Sequence, residues 1–228
     1  MRFRSKLARF RVFEGGPMQE RANNIEIRSS LVQRALRLEW LTVAWMLIEA
    51  GVAICSGIAA HSLTLIAFGA DSVIELLSGL LLLCRLAVGF RLREDFPHEL
   101  EERAAKIGAA LLLALSLYVV VSAAWGLGRG EVQKFSLPGL ILAVLALPVM
   151  YALARGKLRL AHALESGALR SDAAESIACG YLSAVVVAGL VVQFFVNAWW
   201  VDGISALALV PFLLRDAREA WKGENERT

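Results

Sequence analysis

Two acidic residues, Asp71 and Glu75, stand four residues apart in an otherwise apolar stretch, AFGADSVIELLSG at residues 67–79. Four residues make about one helical turn, so both side chains lie on one helix face. An ionised Asp in the middle of a membrane helix costs roughly 2.5–3.5 kcal/mol on insertion scales. The pair therefore needs a cation, water or a protein partner. With ligands from a neighbouring helix it can chelate a divalent ion; otherwise the acids, one or both neutral, join helices by hydrogen bonds.

A second segment repeats this arrangement 104 residues later. Residues 166–179 (SGALRSDAAESIAC) align without gaps on residues 62–75 (SLTLIAFGADSVIE), with four identical positions. Potential ligands fall on potential ligands, since Asp71 aligns with Glu175 and Glu75 aligns with Cys179. Two facing helices with two such side chains each would supply the four ligands of a tetrahedral transition-metal site.

The chain that carries these segments is strongly apolar. It has 228 residues, of which 57% are hydrophobic, and a mean hydropathy of +0.58, whereas soluble domains are about 45–50% apolar. A bilayer-spanning helix takes roughly 20 apolar residues. The sequence predicts an all-α integral membrane protein that crosses the membrane many times, with six helices at residues 41–60, 62–83, 107–127, 137–153, 168–196 and 199–214. A basic N-terminal arm (residues 1–40) and a short tail (residues 215–228) flank this transmembrane domain (residues 41–214).

The basic residues indicate the orientation of the helices. Residues 1–40 hold nine Lys or Arg, residues 85–106 hold five, and residues 155–170 and 215–228 hold four each. The other three connections hold only Arg129 and Lys134. Because connections rich in Lys and Arg stay in the cytoplasm, both termini are expected there. An even number of spans is then required, and six satisfies it.

Several classes of protein are disfavoured. The sequence contains no HExxH, no GxS nucleophile context and no cofactor fingerprint, so we expect neither an enzyme nor a bound cofactor. We also expect no nucleic-acid partner. The cysteines, Cys55, Cys84 and Cys179, all lie in apolar runs, which argues against a disulfide framework. The basic N-terminus lacks the apolar core of a cleavable signal peptide.

The first aligned segment resembles the second transmembrane helix of the cation diffusion facilitator family of metal exporters. Helices two and five of that family each carry a pattern near S-x-A-L-L-A-D-A-x-H-S-x-x-D, in which His and Asp residues four apart bind the ion. In residues 62–75, Asp71 stands at the first ligand position and Glu75 at the second. Phe68 replaces the outer Asp of the pattern.

The second aligned segment resembles the fifth helix of the same family. Glu175 stands at the first ligand position, Cys179 at the second, and Asp172 keeps the outer Asp. The sequence departs from the pattern in having no histidine at any of the four positions and a Cys in place of a carboxylate. The soluble metal-binding domain that usually follows the sixth helix has no counterpart in residues 215–228, and there is no His-rich loop.

The resemblance covers the whole transmembrane region, including the WWVDG opening of the sixth span. It implies a secondary transporter that exports a divalent transition metal from the cytoplasm in exchange for protons. It also implies a homodimer, and we expect the bacterial inner (plasma) membrane as its location. Zinc is the first candidate for the cargo, and Cd²⁺, Co²⁺, Mn²⁺ or Fe²⁺ would also suit an oxygen-rich ligand set with one sulfur.

Alternative functions stay open. The missing histidines and soluble domain favour a non-transporting membrane scaffold or regulatory partner that retains the fold. A proton-coupled carrier of an organic cation also fits, because two acids can balance an amine. A membrane enzyme ranks last.

Alternative roles also stay open for three polar residues. Asp172 is either a fifth ligand or, as we favour, a cytoplasmic gate group paired with Arg170. Glu49, in the middle of the first span, either lines the cavity and carries protons or bonds a neighbouring helix. Cys179 is either a ligand or a small apolar filler. Asp202 is expected to be a helix cap or an interfacial residue.

Overall fold

The computed structural model describes residues 17–92, 98–130 and 133–225. All regular secondary structure in these ranges is helical, in the order α1 (Pro17–Ala60), α2 (Leu63–Leu92), α3 (His98–Arg129), α4 (Leu137–Leu164), α5 (Gly167–Val196) and α6 (Val201–Asn225). The predicted all-α six-helix bundle is confirmed.

Five of the six helices are long and apolar enough to cross a membrane. The exception among the described helices is α6, in which Asp202 lies near the start and Arg215 and Asp216 follow after an apolar stretch of moderate length. Its whole length of 25 residues, at about 1.5 Å per residue, still matches the thickness of a bilayer core. The sixth crossing therefore depends on helix length more than on hydropathy.

Several helices extend beyond the predicted spans. Helix α1 begins at Pro17 rather than at residue 41, so the part of the predicted arm that the structure describes is helical. Proline suits the first helical position because its missing N–H would have no partner there. Residues 1–16 of that arm lie outside the described residues. The charged segment HELEERAAK extends α3 at its N-terminal end.

Serine side chains cap the starts of α4 and α5, and the connection between these two helices is a tight turn. Ser136 caps the start of α4 through its hydroxyl, which accepts a hydrogen bond from the Gly139 N–H. Glu165 closes α4 in the left-handed conformation, with φ 52° and ψ 35°, and Ser166 immediately caps α5. The two helices therefore form an antiparallel hairpin, which fixes the start of α5 and hence the positions of Asp172 and Glu175.

The bundle consists of two such hairpins, α1–α2 and α4–α5, with α3 packed on α6. Contacts of α1 with α4 and of α2 with α5 join the hairpins. Large buried side chains fill the centre, among them Phe68, Met150, Leu182 and Leu209. Helices α2 and α5 therefore meet inside the bundle, where their polar faces are shielded from lipid.

Two glycines let α1 and α2 approach closely. A Cβ atom on Gly57 would lie 2.8 Å from Ile66 Cγ1 and 2.9 Å from the Ile66 backbone nitrogen. A Cβ on Gly69 would lie 2.7 Å from Ile54 Cγ1 and 3.0 Å from the Ile54 nitrogen. Backbone atoms cannot move aside locally, so both sites require glycine. Small residues at a helix–helix contact are typical of membrane bundles.

We expect Gly69→Ala to destabilise the protein by about 1–3 kcal/mol, because the added methyl group forces α1 and α2 apart. The matched control is Gly51→Ala on α1, where an added Cβ meets nothing within 4 Å. Thermal unfolding in detergent, followed by circular dichroism, compares the two variants. Equal melting temperatures would show that the close approach of α1 and α2 does not contribute to stability.

Candidate metal site

Helices α2 and α5 share local hydrogen bonds at the positions that the sequence alignment pairs. The Ser62 hydroxyl accepts from the Leu65 N–H (3.3 Å), and the Ser166 hydroxyl accepts from the Leu169 N–H (3.4 Å). Further along each helix, the Ser72 hydroxyl donates to Phe68 O (3.0 Å) and the Ser176 hydroxyl donates to Asp172 O (3.1 Å). Each acceptor lies four residues before its serine. The repeat is therefore structural as well as sequential, and it places Asp71 and Glu175 at equivalent positions of two antiparallel helices.

Asp202 of α6 holds the start of α2 in place. One of its carboxylate oxygens accepts from the Ser62 hydroxyl at 2.5 Å and from the Thr64 N–H at 3.2 Å. The other oxygen accepts from the Leu63 N–H at 2.6 Å, and the Thr64 hydroxyl donates to the Asp202 carbonyl at 2.9 Å. Asp202 thus caps a helix, as expected, but the helix is α2 rather than its own.

The two α2 carboxylates have buried oxygens without hydrogen bonds. Asp71 is 1% exposed and Glu75 is partly buried. Asp71 Oδ2 and Glu75 Oε2 are buried and have no hydrogen-bond partner in the described part of the chain. The two side chains also interact electrostatically with each other and with Glu49 and Glu175. A bound cation or a proton stabilises a buried carboxylate oxygen that has no hydrogen bond.

The α5 side chains face this pair. Cys179 is fully buried, and its sulfur interacts electrostatically with Glu75 and Asp71. Glu175 is partly buried and interacts electrostatically with both α2 acids. The four side chains singled out in the sequence therefore lie within electrostatic reach of one another.

Glu49 joins the cluster from α1. Its Oε1 accepts from the Ser72 hydroxyl at 2.8 Å and from the Cys179 thiol at 3.3 Å. Its Oε2 accepts from the Trp45 indole N–H at 2.6 Å. Of the two roles considered for Glu49, the hydrogen bonds match helix bonding, because they connect α1 to α2 and α5. A role in proton movement remains compatible with them.

The cluster is not a closed metal cage. In residues 17–92, 98–130 and 133–225, no group of three or more His, Cys, Asp or Glu side chains is arranged to hold a metal ion. The arrangement instead gathers acids and a thiol from α1, α2 and α5 in one buried region. Because these side chains are flexible and share no covalent restraint, small rotations of α2 against α5 can change the ligand distances.

Asp172 has a different partner from the one expected. Its Oδ2 lies 2.5 Å from Lys157 Nζ of α4, and Lys157 Nζ also lies 3.4 Å from Glu39 Oε1 of α1. Arg170, the expected partner, is exposed. Arg170 and Asp172 are two positions apart along α5, which turns their side chains to nearly opposite sides of the helix. The predicted Asp172–Arg170 pair is therefore wrong.

Asp216 on α6 also reaches the cluster, which the sequence did not indicate. Its charge interacts with those of Asp71 and Glu175. Asp216 is partly buried and also interacts with Glu219 and Arg215 on its own helix.

Comparison with known proteins identifies the family of the chain. Residues 40–222 match the family model described as the cation efflux transmembrane domain. A search of curated proteins found no match. The matched region contains every side chain of the α1, α2, α5 and α6 cluster.

We expect metal to slow thiol labelling at Cys179 if its sulfur is a ligand, because a metal-bound thiolate cannot attack the reagent. Cys55 and Cys84 are exposed and Cys179 is buried, so labelling is measured in a Cys55→Ser, Cys84→Ser background with a small permeant maleimide. Zinc should reduce the rate, and Mg²⁺ serves as the control ion. An unchanged rate at saturating zinc would assign Cys179 a packing role.

Proposed function

The chain belongs to the cation efflux family, and from this premise we propose that it is a secondary transporter that moves a divalent transition metal out of the cytoplasm in exchange for protons. The ion would bind between α2 and α5 at Asp71, Glu75, Glu175 and Cys179. Transport of metal cations follows from the family. The metal, the exchange with protons and the ligand set are the proposal.

The observation that supports the proposal most directly is the pair of buried, unpartnered oxygens, Asp71 Oδ2 and Glu75 Oε2. A buried carboxylate without a hydrogen bond is costly when ionised, and either a proton or a metal ion removes that cost. Metal binding requires deprotonated ligands, so metal and protons compete for the same oxygens. A site that must hold one or the other suits exchange of metal for protons.

The open geometry of the cluster fits a transported ion rather than a permanent one. A structural metal is held by a preformed, closed ligand set, whereas the ligands here come from separate helices and form no cage among the described residues. Relative movement of α2 and α5 would assemble the ligands and expose the ion to one side of the membrane at a time. Glu49 and Asp216 supply further negative charge next to Asp71.

The ligand types favour a borderline metal. Three carboxylates and one thiol suit Zn²⁺ first, and Cd²⁺, Co²⁺, Mn²⁺ or Fe²⁺ next. We propose that the protein is a homodimer of the bacterial inner membrane with both termini in the cytoplasm. We propose no enzymatic activity and no resident cofactor.

A second candidate function is a non-transporting membrane scaffold or regulatory partner. The absence of a preformed cage among the described residues, together with the missing histidines, favours it. Direct measurement of metal movement separates the two candidates.

We expect purified protein in liposomes to move zinc towards an internal fluorescent indicator when a pH gradient is imposed. Protein-free liposomes and liposomes without a gradient are the controls. Flux should stop when an ionophore collapses the gradient, because proton movement supplies the driving force. If none of Zn²⁺, Cd²⁺, Co²⁺, Mn²⁺ or Fe²⁺ is moved, the transporter proposal fails.

We expect Asp71→Asn and Glu75→Gln each to reduce zinc flux by at least roughly a hundredfold, the cost of about 3 kcal/mol for removing one charged ligand. Both variants should insert and run as wild type in size-exclusion chromatography, because each removes a buried charge. The matched control is Glu165→Gln, since Glu165 is exposed in the turn between α4 and α5. Normal flux in both α2 variants would place the binding site elsewhere.

A further inference from the structure

A buried lysine holds two buried acids at the edge of the α2–α5 region. Lys157 of α4 is 1% exposed, and so is Glu39 of α1. Asp172 of α5 is also buried. Lys157 Nζ lies 2.5 Å from Asp172 Oδ2 and 3.4 Å from Glu39 Oε1, and Glu39 and Asp172 also interact electrostatically with each other. Three helices therefore meet at one ammonium group.

The triad has two acidic side chains for one ammonium group, and its hydrogen bonding is incomplete. Among the described residues, both Glu39 oxygens, Asp172 Oδ2 and Lys157 Nζ lack a hydrogen bond of good geometry. A buried ion pair is stable only when its remaining oxygens and protons also find partners. The triad is therefore an acidic site that already holds one cation and keeps affinity for more positive charge.

The triad adjoins the proposed metal ligands. Asp172 lies three residues before Glu175 on α5, which is just under one helical turn. The charge of Lys157 interacts with Glu175 as well as with Asp172 and Glu39. Glu39 lies just before the apolar span predicted at residues 41–60 and ten residues before Glu49 on α1. With the N-terminus of α1 in the cytoplasm, the triad therefore lies on the cytoplasmic side of the α2–α5 cluster.

We propose that Lys157 is a built-in competing cation, whose ammonium occupies the Asp172 and Glu39 carboxylates and weakens the binding of incoming metal. Lys157 is thus a positioning residue that sets metal affinity. The proposal rests on the transport function proposed above. An incoming divalent ion must displace the ammonium from Asp172 to approach Glu175, and the tethered ammonium returns once the ion has passed.

The direction of the effect follows from Coulomb's law. A positive charge next to the site repels a divalent ion and occupies one of its approach groups. Removing that charge should strengthen metal binding, and keeping the charge on another side chain should not. A lysine that only stabilises the bundle gives a different result, since its removal would lower the amount of folded protein without strengthening metal binding.

The test compares Lys157→Met, Lys157→Gln and Lys157→Arg in reconstituted liposomes. We expect both neutral variants to lower the KM for zinc by at least roughly tenfold, and Lys157→Arg to keep the wild-type KM. The matched control is Arg159→Met, which removes a positive charge from an exposed position two residues away on α4. It should leave KM within about twofold of wild type.

The Gln variant guards against loss of folding, because its amide can still donate a hydrogen bond to Asp172. Size-exclusion chromatography reports folding, and isothermal titration with zinc in detergent measures binding without transport. An unchanged KM and binding constant in the folded Gln variant would overturn the proposal, as would unfolding of both neutral variants alongside an intact Arg variant. If wild type neither binds nor moves any of the five metals, the proposed function fails instead.

Discussion

The cost of placing carboxylates inside an apolar helix bundle governs how this protein is built. A charged group removed from water must be matched by a counter-charge or by hydrogen bonds, or it takes up a proton. Glu39, Glu49, Asp71, Asp172 and Asp202 are all buried. How each is accommodated distinguishes the parts of the bundle that are held together from the part that can bind something.

Three kinds of accommodation are present. Asp202 and Glu49 are matched by hydrogen-bond donors on neighbouring helices, and they connect those helices. Asp172 and Glu39 are matched by the ammonium of Lys157. Of these five, Asp71 is the carboxylate that has a buried oxygen without a hydrogen bond and no ion pair with a described residue. This lack of a partner distinguishes a binding group from a packing group more sharply than burial does.

Much of this could be predicted from the sequence, because the strongest signals were local. Apolar runs gave six helices, and a gapless alignment paired Asp71 with Glu175 and Glu75 with Cys179. The ends of the helices were underestimated, since hydropathy detects the part of a helix in lipid and not its charged extension. For this reason Lys157 was counted with the cytoplasmic connection, although α4 continues to Leu164 and buries it.

Contacts between distant residues could not be read in the same way. The Lys157–Glu39 pair and the approach of Asp216 to Asp71 each join helices far apart in the chain, and one sequence contains no information on which faces meet. The expected Asp172–Arg170 pair failed for a different reason, because two positions along a helix turn the side chains to nearly opposite sides.

Asp202 attaches the first turn of α2 to α6, so a tilt of α2 would pivot about this turn. Glu75 lies twelve residues beyond Leu63 and Asp71 lies eight, so their lever arms are about 18 Å and about 12 Å at 1.5 Å per residue. A tilt of α2 about this point moves Glu75 half as far again as Asp71. Under the proposed function, the two acids would leave an ion one after the other, Glu75 first, in place of a simultaneous release.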